Sequence, residues 1–387
     1  MKHITLTLLT VVAIAMNINA RTSKDSRCHT PLSQQLIQRM QKIQKQGYMY
    51  AHQDDTFYGI TWAWEYGRSD TYDLVGDFPG IMGFELGGIE RGDTCNLNSV
   101  PFEQMRREAI RQHERGGIIT FSWHPRNPLL GTTAWIGEDI KDYEAAIPYL
   151  DRIGASRTML PDPRHTVGSV IQGGEKHELF LLWLARVADF LCTIRDTKGN
   201  PIPFIFRPWH ENNGAWFWWG EGNCSAEEFH ALWNMTQDYL NARLYDNIVW
   251  SYSPNLQGNW TRQHFMERYP GNDRVDLIGE DAYQWGTQAD FVRQLTADLD
   301  FISAFAQEGG KLIALTECGL PNSTDPTWWT QVLKPVIDKY PVGYCLAWRN
   351  DKNQHFGASK DAPVAEDFKE FHKAKNTLFV NDIRKIK

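Results

Sequence analysis

The sequence has no CxxC or HExxH spacing, so neither a zinc ribbon nor a metalloprotease helix is written into it, and no metal or other cofactor is expected. It has no basic stripe, and a net charge of −7 argues against a polyanionic partner such as nucleic acid. It has no low-complexity tail. It has no glycine-rich turn after its first apolar run, where Ala51-His52-Gln53-Asp54 stands instead, and this speaks against a dinucleotide-binding open sheet. Beyond the N-terminus it has no apolar segment long enough to span a bilayer. The run at 179–194 is broken by Arg186 and Asp189 as an amphipathic helix would be, so no membrane partner is expected.

What is present starts with Lys2 and His3, a mostly apolar run over 4–16, and Ile18-Asn19-Ala20. This is the layout of a signal peptide, too short to span a bilayer and with a small residue at the cleavage point. Residues 1–20 are therefore expected to be removed, leaving 21–387 as one exported domain in the periplasm or outside the cell. The six cysteines are Cys28, Cys95, Cys192, Cys224, Cys318 and Cys345. Export permits disulfides, and spacing alone does not choose the pairs. With 42% hydrophobic residues in 387, the chain can bury a large core.

Eight short apolar or β-rich runs each end in polar or aromatic residues, at 47–53, 81–86, 117–124, 203–211, 247–255, 276–284, 311–319 and 342–350. Helical patterns fall before, between and after them, at 32–46, 102–115, 175–197, 226–243, 291–307, 328–339 and 366–373. Eight strands alternating with helices predict the α/β class and a single (β/α)8 TIM barrel. The long connection at 125–174 contains Arg126, Trp135, Asp162, Arg164 and His165, with a helix expected over 139–150. A long loop on a rigid barrel reads as a wall of the cleft.

In such a barrel the strand ends build one shared mouth. The fourth run carries Phe204, Ile205 and Phe206 as a buried parallel strand and ends in Arg207, His210 and Glu211. If that strand stays regular, Arg207, Trp209 and Glu211 share a face while Pro208 and His210 point the other way. The seventh run ends in Glu317, which alternation groups with Ile313 and Leu315 on a face taken as inward. Two carboxyls from these strands can approach to roughly 5 Å, the spacing of a retaining glycoside hydrolase, in which one gives a proton and the other attacks the anomeric carbon.

Trp216, Phe217, Trp218 and Trp219, framed by Gly214 and Gly220, offer aromatic faces on which a pyranose ring stacks. Other run ends supply His124, Tyr283, whose hydroxyl can orient a nucleophile, and Trp348 followed by Arg349, Asn350 and Asp351. Glu85, Glu90, Glu280 and Asp281 rank below these, as supporting or surface acids. A non-catalytic glycan-binding barrel would be expected to lack one of the two carboxylates, and neither is lacking.

The stretch RPWHENNGAWFWWG, with AHQDD, FSWHPRNP, DAYQ, ALTECG and LAWRND around it, resembles family 26 of the glycoside hydrolases, the β-mannanases, over essentially the whole mature chain. Those enzymes belong to a clan of barrels with catalytic glutamates on strands four and seven. The resemblance implies Glu211 as acid/base and Glu317 as nucleophile, with Tyr283 as its hydrogen-bond partner. It also implies His124, His210 and Trp348 as walls of the −1 subsite, Trp216 as a +1 platform, and Arg349, Asn350 and Asp351 as glycone contacts. Arg207 belongs to the same signature. The implied substrate is β-1,4-mannan, galactomannan or manno-oligosaccharide, cleaved by double displacement; a monomer is expected. The same mechanism on a mixed-linkage glucan or a xylan is the alternative.

Overall fold

The structure is a computed structural model that describes residues 31–386. The expected leader and Cys28 lie outside the described residues. Eight strands form the wall: β1 Tyr48–Gln53, β2 Ile81–Glu85, β3 Ile118–Ser122, β4 Phe204–Arg207, β5 Ile248–Tyr252, β6 Leu277–Tyr283, β7 Leu312–Gly319 and β8 Val342–Ala347. Each is parallel to its neighbours, and β1 pairs with both β8 and β2, which closes the sheet into a barrel. All eight fall inside the runs predicted from sequence. A two-residue strand, β9 Thr377–Leu378, adds to β1 and was too short to leave a pattern.

The barrel is a packed core. Met49, Ala51, Ile81, Ile118, Ile205, Val249, Leu277, Leu312, Ala314, Tyr344 and Leu346 fill it, and Leu36, Met40 and Ile43 of the helix Leu32–Gln44 join the same cluster. That first helix thus seals the end of the barrel where the strands begin. Two or four residues further along the same faces the lining changes character, from Ile205 to Arg207, from Ile81 through Gly83 to Glu85, and from Leu277 through Gly279 to Asp281. The apolar layer therefore becomes a charged one at the C-terminal ends of the strands.

The outer helices follow the amphipathic patterns. The helix Ala226–Arg243 has its predicted ends, and Ser225 with Glu228 forms a capping box at its start. The helix predicted at 328–339 begins instead as a π-helical turn, Trp328–Leu333, before continuing as Lys334–Ile337. In the long connection the expected helix spans Gly137–Ile153. Among the described residues no helix is long and apolar enough to cross a membrane. The five described cysteines are free thiols.

Candidate active site

Both strand-end glutamates reach the mouth by a departure from regular strand geometry. β4 stops at Arg207, and both Trp209 and Glu211 adopt φ of 52°, a left-handed conformation that costs a non-glycine residue of order 1–3 kcal/mol. The alternation expected past Arg207 therefore fails. Trp209 turns away from the mouth into the core against Trp123, Trp218 and Trp219, while His210 faces the mouth with Nε2 4.0 Å from a Glu317 carboxylate oxygen.

On β7, Ile313 and Leu315 belong to the cluster outside the barrel and Ala314 to the interior, so strict alternation would turn Glu317 outward. The register against both neighbours shifts just before it: Glu280 pairs with Leu315, yet Asp281 pairs with Glu317, skipping Thr316. This bulge re-aims Glu317 into the mouth. The inward face predicted for Glu317 is correct, and its grouping with Ile313 and Leu315 is not.

Glu317 is buried among partners suited to a carboxylate. The Arg207 guanidinium bridges it and Asp281, the latter at 2.8 Å, and the Tyr283 hydroxyl donates to its other oxygen at 2.5 Å. Burial tends to lower the Arg207 pKa, but the two carboxylates outweigh it and hold the guanidinium firmly charged. Asp281 also accepts the Thr316 hydroxyl at 2.7 Å. Asp281 was ranked among the lesser acids, yet it fixes Arg207. Its signal was its place on the inward face of β6 with Leu277 and Gly279.

Glu211 has a poorer set of partners. The Trp216 indole N–H donates to it at 2.6 Å, and burial followed by the charge of Glu317 pushes its carboxyl up to about 7. Its backbone is fastened by Glu211 N–H to the Ser253 carbonyl at 2.7 Å, and reciprocal bonds between Asn213 and Asn255 hold the loop. Gly214 lets the Trp216 ring fold back to this carboxyl, because a Cβ at that position would meet ring atoms at 2.1 Å. Trp216 is 37% exposed and Trp135 48%, and Trp135 stacks on His124 with ring centroids 5.4 Å apart and planes 11° off parallel. Trp135, read from sequence only as part of the cleft wall, is thus an exposed aromatic platform beside the carboxyls.

The remaining predicted residues divide. Trp348 lies 6.3 Å from the His124 ring. Arg349 lies over Tyr58 and pairs with Asp351 at 3.2 Å, and Asp351 lines a cavity of about 410 Å³ with Tyr58, Trp62, Trp64 and Asn98. Asn350 is buried; its amide ties its loop together, accepting from the N–H groups of Phe356 and Gly357, and ties it to the helix Asp70–Val75 by donating to Asp70. Glu85, Glu90 and Glu280, read as supporting or surface acids, are all fully buried. Glu85 bonds His124, and Glu280 faces Asp298 behind the barrel wall, where burial first and that neighbour second push its carboxyl well up.

Donor atoms of His210, Asp281 and Glu317 lie within 4.8 Å of one another, the kind of group that can hold a cation. Arg207 already puts a positive charge on both carboxylates of that set. Chemically, the mouth joins a carboxyl that keeps its proton near neutrality to one supplied with donors to its charged form, with aromatic faces alongside.

The family model for glycosyl hydrolase family 26 matches residues 27–155 and 162–360. A β-mannanase of that family from Bacteroides ovatus shares 39% identity and superposes with a TM-score of 0.82, over 92% of this chain and 96% of that one. A mannan endo-1,4-β-mannosidase of Bifidobacterium adolescentis is 27% identical over 342 residues, covering 81% of this chain and 31% of its own length. One from Bacillus subtilis is 25% identical over 312 residues, covering 76% of this chain and 78% of its own length. The chain spans less than half the length of the first two curated relatives it matches, 31% and 48%. With the family match extending over both halves of the barrel, the chain belongs to glycosyl hydrolase family 26.

Proposed function

We propose that this protein hydrolyses β-1,4-mannosidic linkages in mannan, galactomannan or manno-oligosaccharides with net retention, Glu211 acting as acid/base and Glu317 as nucleophile. The observation that carries the reading is the contrast between the two carboxyls: one is pushed up to about 7, and the other is bound by Arg207 and Tyr283. A double displacement needs this division, a protonated group for the leaving oxygen and an ionised one for attack.

In the first step Glu317 attacks the anomeric carbon while Glu211 gives its proton to the glycosidic oxygen. In the second, Glu211 takes a proton from water as that water displaces Glu317. Tyr283 and Arg207 hold the nucleophile, and His124, His210 and Trp348 line the sugar bonded to it. Trp216 forms the platform for the next sugar, and Arg349 and Asp351 meet the glycone. The mannan endo-1,4-β-mannosidases among its relatives support mannan as the substrate. The reading takes residues 21–387 as an exported, monomeric catalytic domain behind a leader at 1–20.

Incubation with β-mannan, mixed-linkage glucan and xylan, followed by chromatography of released oligosaccharides, tests the substrate. Products from mannan alone are expected. Products from glucan or xylan without any from mannan would overturn the assignment.

A further inference from the structure

His124 and His210 meet edge to face, with ring centroids 4.3 Å apart and Nε2 atoms 2.9 Å apart. Two ring nitrogens at that distance share one proton, so one donates and the other accepts. On the far side of His124, Nδ1 lies 2.8 Å from Glu85 Oε2. Glu85 ends β2 with no exposed surface. Its Oε1 accepts the backbone N–H groups of Gly87 and His124, and its Oε2 accepts the Ser122 hydroxyl. All these donors favour the ionised carboxylate, and a dry carboxylate calls for a cation beside it. Arg207 is engaged with Asp281 and Glu317, and His124 is the group bonded to Glu85.

We propose that Glu85 is a positioning residue of the hydrolysis: it holds His124 as an imidazolium whose Nε2 proton goes to His210, placing a cation beside Glu211 and Glu317. The proposal rests on the roles assigned above to those two glutamates. The charged and titratable groups facing His124 are Glu85 from β2, Glu317 from β7, Arg207 from β4, and His210 and Glu211 from the turn after β4. Burial pulls the His124 pKa down, and the two carboxylates more than offset this and raise it. His210 is driven the other way, first by burial and then by Arg207 and His124, so the shared proton stays on His124 and His210 is neutral. The imidazolium in turn helps draw the Glu211 carboxyl down against its burial. The family signature around Glu211 gives no hint of Glu85, which lies 126 positions earlier in the numbering.

Glu85→Gln keeps the shape and removes the charge. His124 then becomes neutral near pH 7, and both neighbouring carboxyls lose a cation. The pH profile of kcat/KM on mannopentaose should move so that both limbs lie about one unit higher, which lowers kcat/KM by up to about ten-fold on the acid side and raises it by up to about ten-fold on the alkaline side. His124→Asn should move the limbs the same way, and the double variant should be no worse than either single one. Limbs at their wild-type positions in a folded Glu85→Gln protein would overturn the proposal.

Nitrogen-15 NMR of histidine-labelled wild type gives a second reading that needs no folded Glu85 variant. One imidazolium pattern should persist at pH 7 and be missing from His124→Asn, and a neutral tautomer for His124 would overturn the proposal. If the wild type releases nothing from mannan while NMR still reports the imidazolium, the functional reading fails and not the charge assignment.

Discussion

Glu211 and Glu317 are the same residue at the ends of two strands of one barrel, and their surroundings set them apart. At the β7 end a bulge delivers Glu317 to a guanidinium and a phenol, both donors to a charged carboxylate. At the β4 end a left-handed backbone delivers Glu211 to a half-buried place where one indole N–H is its side-chain donor and Glu317 is its close negative neighbour. Under the proposed roles, it is the local backbone and not chemical identity that divides proton donor from nucleophile, by choosing each carboxyl's partners.

The sharpest way to break that contrast is to remove one side at a time. Glu317→Ala should lower kcat on every mannoside by at least ~10⁴-fold, because no covalent intermediate can form. Initial rates on polymer and on an activated aryl mannoside check this, and they should fall together. Glu211→Ala should cost on the order of 10²–10⁴-fold on mannan and far less on the aryl mannoside, whose leaving group needs no proton.

The pH dependence has a definite sign. As the proposed acid Glu211 would act in its protonated form, so kcat/KM of the wild type should fall as pH rises through about 7, and Glu211→Ala should lose that limb on the aryl substrate. Because the folded state raises this carboxyl from 4.5 to about 7, folding retains a proton that the unfolded chain releases. Stability should therefore decline as pH rises across that window.

Tyr283→Phe removes one donor from the nucleophile and leaves Arg207 in place. A hydrogen bond to a charged group is worth about 1.5–3 kcal/mol, so a loss of roughly ten- to a hundred-fold is expected, with the acid limb moved upward. Trp216→Phe is the smallest test. It keeps an aromatic face and removes the indole N–H from Glu211, so the alkaline limb should rise with less than about a ten-fold change in rate. A downward move of that limb would show that the indole does not favour the charged form.

The barrel was legible in the sequence because each strand is an apolar run buried on both faces and each main helix carries an apolar stripe. Helices as short as Asp70–Val75 and Arg262–Arg268 were missed, since six or seven residues hold too little periodicity. Within the mouth, residue type was enough to pick out Glu211, Glu317, Tyr283 and His124. Orientation was not legible, because alternation assumes a regular strand and both glutamates sit where the strand is irregular. The partners Asp281 and Glu85 obey alternation and could have been placed by it. They were ranked low because a buried acid and a surface acid read alike until the opposing charge is known.

The central claim is that the two carboxyls act by double displacement, and the anomer formed first reports on it directly. Proton NMR of manno-oligosaccharide hydrolysis in its first minutes should show the β-anomer of the new reducing end accumulating before mutarotation brings in the α-form. The α-anomer appearing first would mean that water attacks directly, and Glu317 would not be the nucleophile.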